Sequence, residues 1–191
     1  MSIHRLLALS LALALLPAFG AGEDAQMIRS ADIPRDAPRF EDHPAQPYAG
    51  ANAPVDVGSD VRSRRYRTQL QNWAREKPNF AGHYIVATWG CGTGCTQVAV
   101  IDAASGKVFH PAGATVNYIM DVDPEVLVDI KDGERRADFG ALHYRVDSKL
   151  LVVFGTPEGR AQNNGISYFV WEGDRLNRLR FVAKAAPGAR Q

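Results

Sequence analysis

The feature that most constrains the fold is the close spacing of strand-like segments after Pro78. Each segment is short and rich in β-branched, aromatic and aliphatic residues, and turn-forming residues separate it from the next. Such short connections leave no room for crossover helices, so neighbouring strands are expected to run antiparallel. The predicted strands cover residues 83–89, 97–102, 107–110, 141–146, 150–155, 166–171 and 175–182.

These strands form two meanders on either side of an irregular, acidic segment at residues 116–138. Within that segment, residues 126–130 are a further candidate strand and Gly133-Glu134 a candidate turn. Two meanders are faintly similar to two propeller blades, but a propeller typically needs at least four blades. The length therefore favours an α+β domain built on one curved antiparallel sheet of about seven strands.

One amphipathic helix is predicted ahead of the sheet, over residues 59–77. Neither Gly nor Pro interrupts this segment, and Tyr66, Leu70 and Trp73 recur at helical spacing. Ser59 or Asp60 can cap its start. We expect the apolar face of this helix to cover the sheet.

The outer face of the same helix is basic. Its cationic residues are Arg62, Arg64, Arg65 and Arg67. Two interpretations stay open: a solvated face, or a docking patch for an acidic partner or an anionic glycan. Under the second interpretation, Arg64 and Arg67 are candidate partner-binding residues.

Residues 1–20 have the order of a cleavable secretory signal peptide. Arg5 precedes an apolar stretch over residues 6–16, and small residues follow. The stretch is shorter than the roughly 20 residues that a bilayer span needs, so we expect no retained membrane anchor. Cleavage after Gly20 is expected, with a site nearer Ala25 as the alternative. The predicted location is the periplasm or the medium.

The remaining chain has the size of one domain. The formal net charge of the full chain is only +1, which gives no support to a role on nucleic acid or on a membrane surface. Residues 21–58 are rich in proline and predict an extended arm or linker, with Phe40 and Tyr48 as its large anchors. Residues 59–184 are the predicted globular domain, and residues 185–191 a flexible tail.

The most distinctive local sequence is WGCGTGC, from Trp89 to Cys95. Its two cysteines are the only ones in the chain, and they flank Gly92, Thr93 and Gly94. In an oxidising compartment, two cysteines at this spacing predict a disulfide, and the glycines permit the positive φ angles that a tight ring requires. The bond either staples a hairpin or shapes a contact loop.

Other chemistry fits this loop less well. A thioredoxin-like redox motif has two residues between its cysteines and opens a helix, whereas this loop has three and joins strands. A phosphate-binding loop precedes a helix, but Thr96-Gln97-Val98 continues into a strand. A zinc site needs further ligands, such as His83, His110 or His143. We expect no metal and no cofactor.

Together with NFAGHY at residues 79–84, the WGCGTGC segment resembles the signature of a family of uncharacterised exported proteins of Gram-negative bacteria. The resemblance covers about residues 60–183 and implies no activity. The chain is more loosely similar to Ivy-type lysozyme inhibitors, periplasmic α+β proteins that present a disulfide-closed loop between strands. This loop is one residue shorter and lacks the histidine and the acidic residue found there, so no inhibitory residue is carried over.

Two classes of function follow. The first is an exported binding protein, an inhibitor or immunity-type factor that contacts a cell-wall enzyme through Trp89, Gly92, Thr93 and Gly94. The alternative is a periplasmic hydrolase that uses His83, His143 and a carboxylate. No Gly-x-Ser-x-Gly elbow supports a nucleophile, and the carboxylates of residues 121–125 lack the later Gly and Glu of a calcium loop. The sequence therefore favours binding, with no catalytic residue and a protein partner in the cell envelope.

Overall fold

The computed structural model describes residues 25–126 and 141–184, and the backbone of residues 130–131 and 134–135. The predicted signal peptide, the tail at residues 185–191 and much of the candidate strand at residues 126–130 lie outside this part, as does Gly133 of the candidate turn. Within the described part, no helix is both long and apolar enough to cross a membrane.

The described residues form one mostly antiparallel sheet of eight strands and a separate two-stranded hairpin. The strands of the main sheet are β1 (Tyr84–Gly92), β2 (Cys95–Asp102), β3 (Val108–Phe109), β4 (Val116–Tyr118), β7 (Leu142–Tyr144), β8 (Leu150–Pro157), β9 (Gly165–Trp171) and β10 (Leu176–Ala183). They lie in the order β1-β2-β4-β8-β9-β10, with β3 paired to β2 and β7 paired to β8. The small hairpin consists of β5 (Ile130–Lys131) and β6 (Glu134–Arg135).

The strands pair antiparallel, as their close spacing in the sequence predicted. The predicted α+β class is compatible with this sheet and the few helices present. Sequence analysis missed β4 in the main sheet, and it placed Glu134 in a turn where the structure has the strand β6. The strand β4 pairs with β2 on one side, where Cys95 lies opposite Tyr118, and with β8 on the other, where Tyr118 lies opposite Thr156. The two predicted meanders are therefore halves of one continuous sheet.

Both halves of the sheet contribute side chains to the inner core. Val86 of β1 and Val98 of β2 share a buried cluster with Val153 of β8, Trp171 of β9 and the preceding Phe80. Side chains alternate along a strand, so the intervening residues of the same strands point outward. These outward residues form two further buried clusters, one on each outer face.

Two short helices precede the sheet, and the second packs on the outer face of β1 and β2. They are α1 (Val61–Arg65) and α2 (Arg67–Trp73), so the helix predicted as continuous is divided at Tyr66. Asp60 caps α1, because its side chain accepts hydrogen bonds from the amides of residues 62 and 63. Leu70 is completely buried against Ile85 and its neighbours, as the helical spacing predicted.

The proline-rich segment lies extended along the domain. Its backbone donates hydrogen bonds from Tyr48 to the Gly82 carbonyl at 3.0 Å, and from Ala53 to the Ala103 carbonyl at 2.7 Å. Phe40 packs beside the buried cluster on the outer face of β8 and β9. Short 3₁₀ turns at Ser30–Asp32 and Phe40–Asp42 interrupt the extended backbone.

Candidate functional site

The disulfide-closed hairpin is the end of the β1–β2 ladder. Cys91 and Cys95 are bonded, which confirms the predicted disulfide, and their Cα atoms lie 5.2 Å apart. The ladder continues to the pair formed by Gly92 and Cys95. Gly92 and Gly94 have φ angles of +135° and +61°, so the turn uses backbone conformations that favour glycine.

The tip of this hairpin is exposed to solvent, whereas the residues where it joins the sheet are buried. Cys91, Gly92 and Thr93 are exposed, whereas Cys95 is 8% exposed. Trp89 is also 8% exposed and packs on Tyr66 with 5.0 Å between ring centroids. The structure thus places the Trp89 indole in the core beneath the hairpin, where it supports the exposed loop from below.

Two exposed apolar side chains from β4 and the following residues flank the loop. Tyr118 is 40% exposed and lies opposite Cys95, while Met120 is 64% exposed. The Ile119 amide donates to the Gly94 carbonyl at 2.9 Å, and a Cβ added to Gly94 would lie within 2.4 Å of the Met120 sulfur. We call Gly92, Thr93, Gly94, Tyr118 and Met120 the tip surface.

The two arginines predicted to bind a partner, Arg64 and Arg67, lie on α1 and α2. The Arg64 Nη1 atom donates to the Gly58 carbonyl at 2.5 Å and so helps to fix the turn before α1. Arg67 is the exposed first residue of α2.

The two histidines of the hydrolase alternative have separate neighbours. His83 Nε2 lies 3.7 Å from Asp102 Oδ1, and its ring packs on Tyr84. His143 belongs to β7, and its ring centroid lies 4.7 Å from that of Phe154. In the order of the sheet, β2, β4 and β8 stand between β1, which follows His83, and β7.

His110 lies beside a serine hydroxyl and a carboxylate. Its Nε2 atom lies 3.0 Å from the Ser63 hydroxyl and 3.6 Å from Asp60 Oδ1. A Ser-His-Asp relay requires the serine and the aspartate at different ring nitrogens, and here both approach Nε2. Burial lowers the pKa of His110, Arg62 lowers it further, and Asp60 opposes the shift. These causes favour the neutral form of the His110 imidazole, which lies between α1 and the end of β3.

The acidic segment before the hairpin β5–β6 is tied to the arm. The Asp121 carbonyl accepts a hydrogen bond from the Ile28 amide at 2.7 Å, and Asp123 lies 3.8 Å from the Arg29 guanidinium. Burial raises the pKa of the Asp121 carboxyl. In the part of the chain that the structure describes, no group of three or more His, Cys, Asp or Glu residues is arranged to hold a metal ion.

The comparisons with known proteins leave the function to be argued from this geometry. No protein-family model, curated protein or solved structure matches the chain. The resemblance to exported Gram-negative proteins, and the looser similarity to lysozyme inhibitors, stay predictions.

Proposed function

We propose that this is an exported binding protein that inserts its tip surface into a concave site on a protein partner in the cell envelope. The observation that carries the proposal is the projection of a disulfide-closed glycine-threonine loop beside two exposed apolar side chains, Tyr118 and Met120. Tyrosine and methionine are enriched where proteins contact one another.

The construction of the hairpin supports this proposal. Binding costs less entropy when the contact surface is ordered beforehand, and here strand pairing and the disulfide hold the loop before any partner arrives. Gly92 and Gly94 carry no side chain, so the loop is narrow enough to enter a cleft. Thr93 is the side chain at its apex and supplies a hydroxyl for hydrogen bonding.

The chemistry of the tip surface favours binding over catalysis. Apart from the Tyr118 phenol it offers no acid or base, and general acid–base catalysis needs such a group close to the reacting bond. The more polar cluster at His110 brings two groups to one ring nitrogen and so lacks the relay of a hydrolase. An inhibitor or immunity-type factor acting on a cell-wall enzyme fits these features.

The test is capture of an envelope protein by immobilised variants of the mature chain. Thr93→Arg places a bulky charge at the apex of the loop, and we expect capture to fall roughly tenfold or more, as for an interface hot spot. The matched control is Thr68→Arg, an exposed position on α2, which should capture as well as the wild type. Met120→Ala should also weaken capture, because it removes apolar contact area.

Both threonine variants should unfold at the wild-type temperature, since neither side chain is buried. Full capture by Thr93→Arg, or an equal loss with Thr68→Arg, would overturn the proposal.

A further inference from the structure

A cleft of about 530 Å³ lies beside the His110 cluster, on the side of β2 and β4. Arg62 and Arg65 reach it from α1, and Arg160 from the segment after β8. His110 and Glu158 also line it. The cleft thus collects three guanidinium groups from two parts of the chain that are distant in sequence.

This cleft carries an excess of positive charge, since three arginines line it beside one carboxylate. Within the described part of the chain, the side chain of Arg160 forms no hydrogen bond or ion pair. Arg62 forms none closer than its electrostatic interaction with Asp60, which lies outside this cleft and whose pKa it helps to lower. Arg65 lies over the Tyr66 ring at 5.5 Å. Among the described lining residues the only carboxylate is Glu158, and its Oε1 atom already accepts the Thr115 amide at 2.8 Å. Guanidinium groups bind carboxylate and phosphate through paired, charge-assisted hydrogen bonds.

The other residues that line the cleft suit the ring and hydroxyl groups of a sugar. Tyr66 and Val116 provide apolar surface, and Gln97 and Asn163 provide amide groups. The Asn163 Nδ2 atom donates to the Pro157 carbonyl at 3.1 Å, which leaves its own carbonyl oxygen to accept a hydrogen bond. A volume of this size is typical of a site for a small molecule.

A neighbouring cleft of about 670 Å³ shares Arg62, Arg65 and His110 but differs in charge. Asp60 and Asp174 line it as well, so its two arginines face two carboxylates. The excess of positive charge is therefore specific to the side that contains Arg160.

We infer that the cleft containing Arg160 binds a sugar-sized ligand that carries an oxyanion, either a carboxylate or a phosphate. The oxyanion contacts the guanidinium groups of Arg62 and Arg160, and the hydroxylated body lies against Tyr66 with its hydroxyls at the two amides. This site is separate from the tip surface and does not depend on the proposed protein partner.

The test is calorimetric titration of the full mature chain with three probes: glucuronate, glucose 6-phosphate and glucose. At low ionic strength, at least one acidic probe should bind roughly tenfold or more tightly than glucose, since charge-assisted hydrogen bonds are lost with the neutral sugar. The better of the two acids identifies the oxyanion. In a parallel NMR titration, the His110 imidazole resonances should shift.

Exposed arginines provide matched variants. Arg62→Gln and Arg160→Gln should each weaken binding of the acidic probe by roughly tenfold, without a change in unfolding temperature. Arg75→Gln, which removes the same charge from an exposed position after α2 and outside this cleft, should leave the affinity unchanged. Equal binding of all three probes, no binding of either acid, or an equal loss with Arg75→Gln would overturn the inference.

Discussion

Ile28 forms a parallel bridge with Val122, and both side chains are buried. The Ile28 amide donates to the Asp121 carbonyl at 2.7 Å, and its carbonyl accepts from the Asp123 amide at 2.9 Å. The first residues of the arm therefore complete the core on the outer face of β8 and β9.

Replacing Ile28 with alanine should destabilise the protein by about 2 to 5 kcal/mol, because it leaves a cavity in this cluster. The matched control is Ile33→Ala, since Ile33 belongs to the same arm but is 41% exposed. That control should change the free energy of unfolding by less than about 0.5 kcal/mol. Urea denaturation measures both, and equal values would contradict a buried role for Ile28.

The mature protein should begin between Ala21 and Gln26, in the periplasm or the medium. Cleavage in this range keeps Ile28, which the core requires. Mass spectrometry of the native protein measures the start of the chain. An intact Met1 on exported material would refute the prediction.

Alkylation of the native protein without reductant should label neither Cys91 nor Cys95. A variant with serine at both positions should lose roughly 2 kcal/mol of stability, as expected for the chain entropy of so short a loop. The comparison uses denaturation of both proteins under identical conditions. Stoichiometric labelling of the untreated protein would contradict the bonded state.

Gly106, in the turn after β2, lets the arm approach closely because it has no side chain. Its φ angle is +78°, and a Cβ at this position would lie 1.9 Å from the Pro54 carbonyl oxygen. Gly106→Ala should cost about 2 kcal/mol or more, because the arm must move and the backbone is strained. Gly90→Ala, with open space around its Cβ, should be nearly neutral. Thermal unfolding distinguishes the two, and similar losses would count against the close approach.

The stability of the protein should fall as the pH decreases from about 7 through 6.5, the ordinary pKa of histidine. The folded state lowers the pKa of His110, so the unfolded chain binds more protons in this range and acidification favours unfolding. A His110→Gln variant should show a shallower dependence between pH 7.5 and 5.5. Unfolding free energies across this interval provide the measurement, and identical slopes would disprove the assignment.

The strands and the disulfide could be predicted because each has a local signal, either alternating apolar residues between turns or paired cysteines. The strand β4 has no such signal. It contains three residues, and its buried centre is polar: Asn117 is fully buried and donates through Nδ2 to the Phe154 carbonyl at 2.8 Å. Because this hydrogen bond is formed across the sheet, hydrophobic periodicity cannot reveal it.

Only some residues of the two candidate sites can be predicted from the sequence. Thr93 and its flanking glycines were predicted from the cysteine spacing, whereas Tyr118 and Met120 come beside them only through the pairing of β4. The cationic cleft also depends on tertiary structure. Arg62 and Arg65 were recognised on a basic helix face, but Arg160 joins them through the packing of a distant connection.

Two ion pairs join the arm to β10 and to the residue that follows it. Lys184 Nζ lies 2.9 Å from Asp32 Oδ1, and Arg180 Nη1 lies 3.1 Å from Asp36 Oδ1. The arm is synthesised well before these partners, which follow it by roughly 150 residues. Contacts between such distant residues close large loops and form slowly. A chain that stops before β10 therefore leaves its N-terminal segment without these ion pairs, so the arm can dock there only after β10 has been synthesised.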